Sequence, residues 1–170
     1  MPTNTENRGM TKFHALSSDL SRSVGQRGLL KLVLDAVLTL DVAHLQDARR
    51  KSPDVSPQML LTLLTYCYST SIYGSRDIEW AVEHDQMVRY ICARDFPEWQ
   101  SLRRFRRQHR KLVHQCMVYV MKQVWALKFD EGEADYVGYE WFESELLDLV
   151  STAATERIDL AALTDGVESE

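Results

Sequence analysis

One stretch of the chain has to be enclosed by the rest. Ser56-Pro57 supplies a helix cap followed by proline at the first helical position, where a missing N–H costs nothing. The residues after it, Gln58 to Ser71, predict a helix that is apolar nearly all round. Met59, Leu60, Leu61, Leu63, Leu64, Tyr66, Cys67 and Tyr68 leave it no continuous polar face. A helix of that kind is stable only when others wrap it, so it is expected to be the central helix, ended by Tyr73-Gly74.

The wrapping elements read as helices too. A first helix is predicted from near Gly28 to about Leu45, with Leu29, Leu30, Val33, Val37, Leu40 and His44 at i, i+3, i+4 spacing. Leu32, Leu34 and Leu38 widen its apolar surface, which implies burial on more than one side, in a bundle or against a second copy of the chain. Ser75 is expected to cap a short helix with Ile78, Ala81 and Val82 inward. A turn near His84-Asp85 leads to another short helix, Gln86 to Cys92. A final helix, roughly Trp141 to Thr155, carries Phe142, Leu146, Leu149 and Val150 on one face. An apolar content of 45% with only seven Gly and four Pro favours helices over a many-turned β fold. The fold class is therefore all-α: a compact multi-helix bundle with a long basic helix and a helix-turn-helix-like element.

The basic helix is the informative one. After Pro97, a natural stop for what precedes it, Ser101 can cap a helix that continues past Lys111 to about Phe129. On a helical projection Arg103, Arg104, Arg106, Arg107, Arg110 and Lys111 fall on one broad arc, while Leu102, Phe105, His109, Leu112, Val113, Cys116 and Val120 fall opposite. Cations in the first turns oppose the helix dipole, and like charges three or four residues apart repel. Local stability does not call for these arginines, so an external anion is the better reason for them. Guanidinium suits phosphate because its planar fork donates two parallel hydrogen bonds.

At these residues the sequence resembles a family. A Leu-rich helix, then Ser75-Arg76-x-Ile78-Glu79, then Pro97-x-x-x-Ser101-Leu102-x-x-Phe105-Arg106-x-x-His109 is similar to the N-terminal domain of bacterial insertion-sequence transposases of the InsH type. The likeness covers roughly residues 50–120. It departs at Glu98-Trp99, where the family usually has Asp-His, and at Ala93-Arg94-Asp95-Phe96, where the family turn is often richer in Gly. The resemblance implies a helical domain that binds transposon DNA and that, in the family, precedes a DDE nuclease domain. Residues 1–14, polar and at a chain end, are expected to be a disordered N-terminus, 15–129 the helical transposase-like domain, and 130–170 an acidic C-terminal helix and tail. The expected DNA-binding residues are Arg76, Arg103, Arg104, Arg106, Arg107, Arg110 and Lys111, with double-stranded DNA as partner. The alternative is a helical protein–protein interaction module or homodimeric regulator with no DNA role.

The formal net charge of −5 conceals a division. Residues 1–129 carry 19 Lys and Arg against 12 Asp and Glu, whereas residues 130–170 carry one Arg against 13 acidic residues. The acidic tail is expected to fold over the basic helix and weaken DNA binding until displaced. The basic loop Arg49-Arg50-Lys51-Ser52-Pro53-Asp54-Val55 is a second place that could meet phosphate.

Catalytic chemistry is not expected. A DDE nuclease needs three carboxylates around two metal ions on a mixed α/β core, and no alternation of strands and helices is present. Asp165-Gly166 resembles the family's first catalytic Asp-Gly but reads as chance. Glu79 and Glu83 read as a solvated i, i+4 pair, and His109 and His114 lack the spacing of a helical zinc site. No metal or cofactor is expected. Cys67, Cys92 and Cys116 fall in apolar helical patterns and read as buried thiols of a cytoplasmic protein. No signal peptide and no membrane span are expected.

Overall fold

The computed structural model describes residues 17–40, 45, 55–130 and 139–167. Among the described residues there are seven helices and no strands, an all-α bundle. They are α1 (Ser21–Thr39), α2 (Pro57–Ser69), α3 (Ser75–His84), α4 (Gln86–Cys92), α5 (Trp99–Gln108), α6 (Arg110–Asp130) and α7 (Tyr139–Val167).

The centre is α2. Every residue from Leu60 to Ser69 is buried, and the helix packs on α1, α4, α5, α6 and α7. It begins as expected, with Ser56 at the N-cap and Pro57 in the first turn. Helix α1 starts earlier than Gly28: its first turn is held by Asp19, which accepts from Ser21 N at 2.9 Å, and a break follows at Gly25 (φ 76°). A glycine is required there because that backbone conformation crowds any Cβ. The helix ends at Thr39 rather than Leu45; Leu45 itself is helical and buried. His44, the N-terminal 1–14 segment, the loop residues 49–54 and the acidic break at 131–135 lie outside the described residues.

Helix α7 differs most from expectation. It runs on to Val167, twelve residues beyond Thr155, and packs against α6, α2 and α3. Val150, Ala154, Ile158 and Ala161 along it are fully buried in the same core as α2. The fall in charge at residue 130 is thus a boundary of charge, and the apolar core crosses it. A tail that swung away from the basic helix would have to expose those four side chains, so the expected displaceable cover is instead a core helix. Arg157 ties it further, donating to the backbone carbonyls of Ser17 (2.9 Å), Ser18 (2.9 Å) and Tyr68 (2.6 Å).

The turn before α5 is tight and strained. Ala93 takes φ 53°, ψ −99°, a region costly for any residue with a Cβ. This is the turn where the sequence carries Ala in place of a Gly-rich pattern. Ala93→Gly is expected to stabilise the fold by about 1 kcal/mol, read as a higher urea midpoint with unchanged slope; a lower midpoint would show that the strain is absent.

Candidate nucleic-acid interface

Helix α5 begins at Trp99, two residues before the expected cap Ser101. Glu98 is its N-cap residue and makes no side-chain bond there. The capping bond comes from another helix: Glu79 Oε2 of α3 accepts from Trp99 N at 2.6 Å. Arg76 of α3 lies over the Trp99 indole, 4.7 Å from the ring centroid, in cation–π contact. Ser75 is the first helical residue of α3 rather than its cap, which is Gly74. Its backbone N and its hydroxyl both donate to the Asp165 carboxylate, at 2.7 and 2.8 Å. Ile78 is fully buried. The Ser-Arg-x-Ile-Glu piece is therefore a set of fasteners that fix α5 and α7 against α3.

Arg106 requires a correction. Helical projection puts it on the exposed basic arc, yet it is 3% exposed and pairs with Asp165, itself 3% exposed. About 40° of rotation separates it from Leu102 on the helix, so it stands at the edge of the apolar face rather than within the basic one. Burial works against the guanidinium charge, but the bond to Asp165 and the neighbouring Tyr68 outweigh it and hold the pKa above its ordinary value. Burial in turn pushes the Tyr68 phenol well up.

Gly74 leaves room at this junction. A Cβ there would stand 3.0 Å from the Thr164 methyl and 2.6 Å from Asp77 Oδ2, so the bare position eases the close approach of α7 to the start of α3. The anion of Asp165 then sits at the N-terminus of α3, where the helix dipole favours it. Sequence reasoning missed Asp165 as a fastener because its partners are 59 and 90 residues away. Asp85 was also missed as a cap, accepting from Met87 N (2.8 Å) and Val88 N (3.0 Å), although an Asp ahead of an apolar run is a readable signal.

The remaining cations are brought together. Arg104, Arg107, Arg110 and Lys111 are exposed, and Arg103 is half-buried. Trp99, Gln100, Arg103, Arg104, Arg107 and Gln108 line a shallow groove of about 500 Å³ on the outer side of α5. The basic helix is not continuous: at His109 (φ −121°, ψ 29°) the axis is interrupted and α6 begins with Arg110. Arg110 forms a surface ion pair with Asp159 of α7, of a kind worth little in water. Leu102 and Phe105 are buried on the other side of α5, as expected.

His109 packs its ring against Phe105, with centroids 4.6 Å apart, and burial lowers its pKa from the ordinary value. His114 meets Ser151 of α7, its Nε2 lying 3.1 Å from the Ser151 carbonyl oxygen. Among the described residues no group of three His, Cys, Asp or Glu is arranged to hold a metal ion. The three cysteines are free and buried, and burial raises the pKa of each, to about 11 at Cys92 and about 12 at Cys116. No helix among the described residues is long and apolar enough to cross a membrane.

These features define an all-helical module with a basic outer helix anchored through a buried ion pair. Residues 27–108 match the family described as Transposase domain (DUF772), and over that stretch the chain is similar to the transposase domains of this family. The match runs from α1 through the last residue of α5. No curated protein and no solved structure matches the chain.

Two outcomes follow from this geometry. Asp165→Asn leaves Arg106 buried without a counter-charge and is expected to cost about 3–5 kcal/mol in urea unfolding; a loss below 1 kcal/mol would mean the junction is solvated. For His109, the unfolded imidazole takes up its proton near pH 6.5 while the folded one resists it. Its contribution is complete at pH 7.5 and is lost as the pH falls below about 6.5 towards the lower pKa of the folded imidazole. His109→Gln should therefore flatten the decline in stability between pH 7.5 and 5.5; an unchanged decline refutes the assignment.

Proposed function

We propose that this chain binds double-stranded DNA through the outer side of α5 and the first turn of α6. It would act as a transposition protein of the InsH type that engages transposon ends without cutting them. The observation that carries the reading is the row of exposed cations Arg104, Arg107, Arg110 and Lys111, lying in or directly after the stretch similar to transposase domains. Arg103 and Arg76 border that row, whereas the role first given to Arg106 passes to the core. Guanidinium groups on an exposed helical face fit phosphate oxygens, and such contacts fix the position of a protein on a duplex without reading its sequence. The helix-turn-helix-like reading of α3, α4 and α5 belongs to the same proposal, as does a cytoplasmic location, where bacterial DNA is.

The non-catalytic part of the reading is supported by Asp165. Its carboxylate is occupied by Ser75 and Arg106 in the core, on a helix rather than at a strand end, so it is not free to take a metal ion.

Fluorescence anisotropy of the whole chain with a labelled duplex, over a series of salt concentrations, tests this. Four phosphate-contacting cations give a log–log salt slope of about −3.6, and Arg104→Gln, Arg107→Gln and Lys111→Gln combined bring it to about −0.9 with much weaker binding. Failure of the whole chain to bind at low salt overturns the reading and favours the interaction module without a DNA role.

A further inference from the structure

Two grooves of opposite charge share one wall. On one side of Trp99 and Gln100 lies the basic groove with Arg103, Arg104 and Arg107. On the other lies a groove of about 410 Å³ lined by Glu79, Val82, Glu83, Phe96, Pro97 and Glu98. Its three carboxylates are exposed, and Phe96 leaves 60% of its surface open to water. Among the described residues, Arg104 and Arg107 of the basic groove are not paired with Glu83 or Glu98 of the acidic one, and the side chains of all four have neither a hydrogen bond nor an ion pair.

A positive and a negative patch side by side about a common ridge are complementary to their own copy. Rotation by a half-turn about an axis through the ridge sets each basic groove on the partner's acidic one. We propose that this face pairs two copies of the chain about a twofold axis near Trp99 and Gln100. In that arrangement Arg104 and Arg107 of one copy face the Glu83 and Glu98 carboxylates of the other, and Phe96 is covered. The occupant is a second copy rather than a foreign basic peptide because the complementary charge is already present, at the adjacent position, on the same rigid helix pair. The two grooves together offer twelve residues per copy, about half of what a standard interface uses. The pairing is accordingly weak, and salt weakens it further. It stands independently of the DNA reading, and since both use Arg104 and Arg107, a duplex and a second copy exclude each other there.

Sedimentation equilibrium of the whole chain, over rising concentration and at low and high salt, reads the pairing. The wild-type chain should dimerise at low salt and dissociate at high salt. Glu83→Arg and Arg107→Glu, each made alone, should raise the dissociation constant roughly tenfold or more. Mixed one to one, the two variants should restore a dimer that contains one of each. Both side chains are exposed, so the circular dichroism of each variant should match that of the wild type; Glu98→Lys with Arg104→Glu repeats the exchange with a second pair. A wild-type chain that stays monomeric at low salt overturns the proposal. So does a dimer that survives both single substitutions, which would place the contact elsewhere, for example on the exposed Leu34 and Leu38 of α1.

Discussion

One carboxylate holds the outer helices in register. Asp165 accepts from the backbone and hydroxyl of Ser75 at the start of α3 and pairs with Arg106 in the last turn of α5. Neither member of that pair is tolerable in the core without the other, since an unpaired buried charge is far more costly than the pair. The orientation of α5, and with it the direction in which Arg104 and Arg107 point, depends on a residue in the last turn of α7. The basic face and the acidic end of the chain are parts of one structure.

The physics of α5 divides its arginines into two kinds. Arg106 stands beside Leu102 and Phe105 and is drawn into the core, where it needs a fixed anion. Arg104 and Arg107 stand on the far side, where no carboxylate of the chain reaches them among the described residues. Glu79 and Arg76 act between these groups, one holding the first N–H of α5 and the other covering Trp99. A small set of polar contacts thereby converts an amphipathic helix into a rigid platform for charge.

Much of the fold was legible because it rests on local pattern. The apolar circumference of Leu60 to Tyr68 announced a central helix, Ser56-Pro57 marked its start, and the inward Leu102 and Phe105 followed from helical spacing. What could not be read depended on distant partners. Ser101 looked like a cap because a serine oxygen usually serves nearby, but Glu79 reached the helix start first. Arg106 looked exposed because charge is normally solvated, and only Asp165, far along the chain, reverses that expectation. The acidic count after residue 130 suggested a displaceable cover over the basic helix; Val150, Ala154, Ile158 and Ala161, spaced three or four apart along α7, seat that helix in the core.

The separation between these partners also bears on how the chain assembles. Closing Arg106 onto Asp165 spans 59 residues and closing Ser75 onto it spans 90, so both contacts carry a large loop-closure entropy. On the ribosome, α2 to α5 emerge well before Asp165 is made. Until then the Arg106 guanidinium has no counter-charge and stays in water, which keeps α5 from seating fully on α2. The arginine-rich surface is thus a late product of folding, and its final geometry waits for the last turn of α7 to arrive.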